Sequence, residues 1–180
     1  LAQAEVDLCQ GRYLAALMRT REAEAEDGDK SDLRLHFLAA KAAHAGSLEE
    51  EALRQYETAR ALAVLEADRR EASWGMLMCL AALERPEALE LLSGLEAETL
   101  KDSDARDQVR MADKRLSVGF RFGRVEHLAD AHRVAELVPS IDDPIVRCSF
   151  RSMYSWALLL GAYYSDAAVQ AQHLIEDATE

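Results

Sequence analysis

Apolar residues recur along the chain at three-and-four spacing, interrupted at regular intervals by glycine or proline, which is the pattern of short amphipathic helices joined by tight turns. The stretch Ala45 to Ala63 shows it best: Leu48, Ala52, Tyr56, Ala59 and Leu62 share one helical face. Ser47 followed by Glu50 reads as a capping box, and Glu49, Glu50 and Glu51 stand at the positive end of the helix dipole.

The same reading along the chain predicts helices over Leu1–Cys9, Tyr13–Glu24, Asp32–Ala45, the capped stretch after Ser47, Asp68–Leu83 and Pro86–Glu98. It continues with Asp104–Phe120, Val125–Val138, Asp143–Leu160 and a last helix capped by Ser165. A charged loop with Gly28 and Lys30 separates the first two pairs, Pro139 stops the eighth helix, and Asp143 with Pro144 forms an N-cap and first-turn pair.

These ten helices form five hairpins. Ala16, Ala52 and Ala88 follow their turns at an interval of 36, and Leu128 and Ala167 extend the series at 40 and 39. A period of this size predicts an all-α superhelix, a solenoid of about five antiparallel hairpins, none able to bury its apolar face alone. First helices would line the concave side and second helices the convex side. Residues 1–180 are read as one repeat domain and, since the chain starts at Leu1 with a short first helix, as a fragment of a longer protein.

Composition narrows the class. With 49% hydrophobic residues but only three prolines and eight glycines, the chain has material for a large helical core. A net charge of −12 argues against general nucleic-acid binding. Cys9, Cys79 and Cys148 form neither a CxxC pair nor an even set, so a reducing, cytoplasmic setting is expected, with all three cysteines packed in the interior. The most apolar stretch, Ser152 to Ser165, is shorter than the roughly 20 residues a membrane span needs, which predicts a soluble protein.

GRYLAAL from Gly11 to Leu17 resembles the turn and second-helix opening of tetratricopeptide repeats, with Tyr13 and Ala16 at the family spacing and Ala4 and Ala23 at small-residue positions. Ala40, Ala52 and Ala59 take the same roles in the second repeat; only Pro139 approximates the family's closing proline. Long, alanine- and arginine-rich repeats of this kind are similar to the sensor region of large ATP-binding LuxR-type bacterial transcriptional regulators. That resemblance implies a region that receives an inducer or partner protein between an ATPase module and a DNA-binding module.

Catalytic motifs do not emerge. There is no GxxxxGK, HExxH or GxSxG, so the chain is read as a non-enzyme without a cofactor. No metal is expected either: His127 and His132 lie about 140 degrees apart on a helix, while His36 and His44 read as separate surface residues without carboxylate or thiolate partners.

Charge distribution is more informative. On the seventh helix Arg106, Arg110, Lys114, Ser117 and Arg121 form one polar stripe between two apolar sides. Arg34, Phe37, Lys41 and His44 share a stripe on the second hairpin, Arg70, Trp74 and Met78 on the third, and Arg147, Arg151 and Tyr154 on the fifth. Second helices carry the acid, including Glu57, Glu87, Glu90, Glu126, Glu136 and Glu176.

The pattern predicts a basic, aromatic-dotted groove for a protein or peptide partner, or a small anionic effector, built from Arg34, Lys41, Arg70, Trp74, Arg106, Arg110, Lys114, Arg121, Arg147, Arg151 and Tyr154. Two other readings stand beside it. Surface arginines can be merely solvated or paired, and Trp74, Trp156 and Phe150 can be core. The array can also be an oligomerisation or scaffold element whose sticky face is Ala168, Ala171, Leu174 and Ile175. Reversing Arg110 and Lys114 is expected to abolish groove binding with helicity and melting temperature unchanged.

Overall fold

The computed structural model describes residues 1–27, 32–99, 104–123 and 128–179. Among them are ten α-helices and no strand: α1 Ala2–Cys9, α2 Tyr13–Asp27, α3 Leu33–Ala45, α4 Glu49–Leu62, α5 Glu66–Ala82, α6 Glu87–Thr99, α7 Ala105–Arg121, α8 Leu128–Ala135, α9 Pro144–Leu160 and α10 Tyr164–Asp177. A 3-10 turn, Val138–Ser140, separates α8 from α9 and carries Pro139. The expected loop at Gly28 and Lys30, the start of the eighth helix at Val125, and Glu126 and His127 lie outside the described residues.

The chain divides into two compact units, Leu1–Leu91 and Leu92–Glu180. In the first, α1 packs on α2, α2 on α3, α3 on α4 and α4 on α5, while α1 also touches α3 and α3 touches α5. In the second, α7 packs on α8 and on α9, and α9 on α10. Within each unit the packing is thus mostly between successive helices, and first helices of adjacent hairpins, α1 with α3, α3 with α5 and α7 with α9, also meet.

The repeat is written most plainly in the turns. Every positive φ among the described residues falls at one place per hairpin: Gly11, Ser47, Glu84, Gly123 and Ala162, at intervals of 36, 37, 39 and 39. At four of them the same pair of bonds closes the preceding helix. Gly11 N–H donates to Leu8 O and Arg12 N–H to Asp7 O; Ser47 and Leu48, Glu84 and Arg85, and Ala162 and Tyr163 repeat the pair on their own helices. This is the Schellman arrangement, which satisfies the last carbonyls of a helix by turning one residue left-handed.

That geometry corrects the capping box. Ser47, at φ 59, belongs to the end of α3, and α4 starts two residues later behind Leu48 with no side-chain cap. Ser165 likewise lies inside α10, whose cap position is Tyr163. Asp143 does cap as predicted, accepting from Ile145 and Val146 N–H, and Asp32 and Asp104, read only as helix starts, prove to be caps too, accepting from Arg34 and Asp107 N–H.

Cores differ between the units. In the first, Ala4, Ala16, Ala39, Ala40, Ala42, Ala43, Ala52, Ala59 and Ala72 are buried together with Leu38, Tyr56, Trp74 and Leu77. In the second, Val109, Leu116, Val134, Val138, Phe150, Tyr154 and Leu158 form one cluster with Ala112, Ala131 and Ala167. No helix among the described residues is long and apolar enough to cross a membrane.

Candidate functional site

Two of the predicted stripes coincide with the least buried positions of their helices. On α3, Arg34 and Lys41 are exposed and Phe37 and His44 half-buried, while Leu35, His36, Leu38, Ala39, Ala40, Ala42 and Ala43 are buried. On α7, Arg106 and Arg121 are exposed and Arg110, Lys114 and Ser117 half-buried, between the buried Val109, Ala112 and Leu116 on one side and Met111 and Val118 on another.

Within these stripes the cations differ in how firmly they are held. Arg34 pairs with Glu5 at 2.6 Å in the open. Arg106 reaches Asp143 at 2.7 and 3.1 Å. Burial pushes the Asp143 carboxyl up, but the Arg106 guanidinium and the helix-start N–H groups outweigh it and hold it below its ordinary value. Lys114 binds Asp113, which is itself buried and also accepts from Ser149 at 2.9 Å. Reversing Lys114 would leave the buried Asp113 carboxylate facing a second one, so a lowered melting temperature is expected for that residue.

Of the remaining predicted positions all but Arg70 are interior. Trp74 is 2% exposed, and Arg70 on the same helix is half-buried. Arg147, Arg151 and Tyr154 are 8%, 7% and 3% exposed. Arg147 Nε and Arg151 Nε each take one oxygen of Asp177, at 2.9 and 2.5 Å, and Arg147 also donates to Ile141 O and Arg151 to Gln170. Burial raises the Asp177 pKa, and the hydrogen bonds and charge of Arg151 and then Arg147 more than reverse it. Tyr154 is bonded to His132, with Phe150 stacked on its ring at 5.3 Å. Arg147, Arg151 and Tyr154 brace α9 against its neighbours and leave almost no surface for a ligand, which corrects their assignment to a groove. A helix-period stripe cannot tell a solvated arginine from one roofed by the next helix, and Asp177 lies 26 residues beyond Arg151.

Other expectations are corrected as well. Trp156 is 57% exposed rather than core, Cys9 is exposed, Cys148 half-buried, and His36 is buried with its Nδ1 at 2.7 Å from Gln55. Sequence reasoning also passed over Arg115, which links Glu96 of α6 at 2.7 Å to Asp130 of α8. Burial lowers its pKa and the two carboxylates more than restore it. Its place on α7, opposite the polar stripe, was the available signal.

One cluster brings chemistry together. His44 Nδ1 lies 2.6 Å from Glu49 Oε2 and 4.0 Å from Cys79 Sγ, and the three donor atoms all fall within 4.8 Å of one another. Cys79 is fully buried, and burial, then the nearby Glu49 charge, push its thiol up to about 12. His44 therefore has the carboxylate and sulfur neighbours that its local sequence does not supply, from 5 and 35 residues away.

No protein-family model, no curated protein and no solved structure matches the chain.

Proposed function

We propose that the chain is a non-catalytic helical-repeat module, a solenoid of the tetratricopeptide kind, that binds an acidic extended peptide or a small anionic effector. What supports this reading most is the combination seen within each unit: first helices of adjacent hairpins pack on each other, and the stripe left uncovered on α3 and α7 is cationic. Arg34 and Lys41 on α3 are the recognition residues of the first unit, and Arg106, Arg110 and Arg121 on α7 those of the second. Guanidinium groups suit this task because they can grip a carboxylate through two parallel hydrogen bonds. The setting is cytoplasmic, consistent with the free exposed thiol of Cys9, and the module serves as the sensor region of a LuxR-type regulator.

Fluorescence anisotropy with a glutamate-rich peptide tests it. Wild-type protein should bind in a salt-dependent manner, and Arg110→Glu/Arg121→Glu should weaken binding at least about tenfold, the worth of one charge-assisted hydrogen bond. Equal binding by both proteins removes the groove.

A second reading, self-association, is favoured by one observation. Ala168, Ala171 and Ile175 are exposed along α10, and Trp156, Leu160, Tyr163 and Tyr164 are exposed nearby in sequence. Light scattering that shows a concentration-dependent dimer, abolished by Ile175→Glu, would support it; a monomer at high concentration would dismiss it.

A further inference from the structure

We propose that His44, Glu49 and Cys79 form a binding site for a zinc-class divalent transition metal. The donors come from three consecutive helices of the first unit, so their meeting is a product of the packing. His44 stands in the last turn of α3, Glu49 is the first residue of α4, and Cys79 lies in the last turn of α5. The Ser47 turn fixes the first two: with Leu48 N–H tied to Ala43 O at 2.9 Å, the chain reverses and returns Glu49 to the His44 ring. Packing of α4 on α5 then brings up the thiol.

The geometry needs little adjustment. Zinc bound at about 2.3 Å to sulfur and about 2.0–2.2 Å to nitrogen and oxygen sets donor-to-donor separations of roughly 3.3–3.7 Å in a tetrahedron. The 2.6 Å His44–Glu49 contact has to open and the 4.0 Å His44–Cys79 contact to close, in each case by less than about 1 Å. Side-chain rotation covers that.

Electrostatics point the same way. The Glu49 carboxylate within 4.8 Å of the buried Cys79 sulfur, and a histidine and a cysteine in the negative last turns of two helices, all favour a cation between them. The donor set of sulfur, nitrogen and one oxygen suits zinc, and calcium or magnesium would demand oxygens throughout. Access exists on one side. The His44 and Glu49 side chains are 37% and 19% exposed, and Glu49 also lines an open cleft of about 450 Å³ with Leu48, Glu50 and Glu51. Water from that cleft completes the shell. Bound metal would tie the α3–α4 hairpin to α5 and stabilise the unit in proportion to occupancy.

Cobalt(II) and zinc are the probes, titrated into the full chain after chelator treatment. One equivalent of cobalt should give a thiolate-to-cobalt charge-transfer band and tetrahedral ligand-field bands, both removed by added zinc, and zinc should raise the melting temperature. Cys79→Ala should abolish the charge-transfer band. His44→Gln and Glu49→Gln, both at partly exposed positions, should weaken binding by at least about 100-fold while circular dichroism stays that of the parent. Cys9→Ala/Cys148→Ala should bind as the parent does. Absence of the charge-transfer band in the parent protein, its persistence in Cys79→Ala, or parental affinity in His44→Gln would overturn the site.

Discussion

In the first unit the helices meet on alanine, with Ala16, Ala40, Ala43, Ala52 and Ala59 all at or near zero exposure, whereas in the second the same kind of space is filled by Val109, Val138, Phe150 and Leu158. Small side chains let backbones approach closely and leave no slack for growth; large ones fill the gap themselves and leave a hole when cut back. The treatment of cations differs in parallel. Arg34 of the first unit stays in solvent although paired with Glu5, while Arg147 and Arg151 of the second are roofed by α10 and held by Asp177. Similar sequence signals therefore end as surface at Arg34 and Arg106 and as interior at Arg147 and Arg151, and since all four have a carboxylate partner, what decides between them is whether a following helix covers the guanidinium.

The sharpest way to test that contrast is truncation in the second unit. Phe150→Ala should cost about 4 kcal/mol in denaturant unfolding, since it removes a fully buried ring from the centre of the cluster. Asp177→Ala should follow at about 3 kcal/mol by the same measurement, because it strands two guanidinium groups that are each about a tenth exposed. A near-neutral result for Asp177→Ala would return Arg147 and Arg151 to the list of surface residues.

Enlargement is the corresponding insult in the first unit. A Cβ at Gly75 would stand inside the van der Waals envelope of the Tyr56 ring, which packs over that glycine from α4. Gly75→Ala gains up to about 1 kcal/mol of helix propensity. It should nevertheless destabilise by about 1–2 kcal/mol net, since overpacking costs more; a stabilised variant would show that Tyr56 can swing aside.

The smallest effect concerns acid. Asp7 occupies a buried position, and hydrogen bonds from Arg12 and Arg19, against the opposing effect of burial, lower its pKa from 3.8 to about 2. A carboxylate with a depressed folded pKa contributes stability that is complete above the unfolded value and lost as pH falls through the folded one. The contribution should hold above pH 3.8 and fade toward about 2, so Asp7→Asn should flatten the stability profile in that window alone.

Much of the scaffold was legible because it is local. Helix number, the helix starts at Asp32 and Asp104, the cap at Asp143, and the buried alanines at 16, 52 and 88 all follow from spacings within one or two turns. The Ser47 turn was misread because serine followed by glutamate three residues later suits a helix start, while its left-handed φ is set by how α3 ends. The site fared worse because enclosure is not local. Whether Arg106 or Arg151 meets solvent, and whether His44 meets a thiol, depends on residues 37, 26 and 35 positions away.

Sorting arginines by enclosure is the claim on which the functional reading turns, and one experiment weighs it: anisotropy of a glutamate-rich peptide against two variants, compared with their melting temperatures. Arg110→Glu/Arg121→Glu should lose binding at least about tenfold with melting within a few degrees of the parent, whereas Arg151→Leu should melt markedly lower yet bind as the parent does below its transition. The opposite assignment, with binding lost at Arg151 and kept at Arg110 and Arg121, would contradict it.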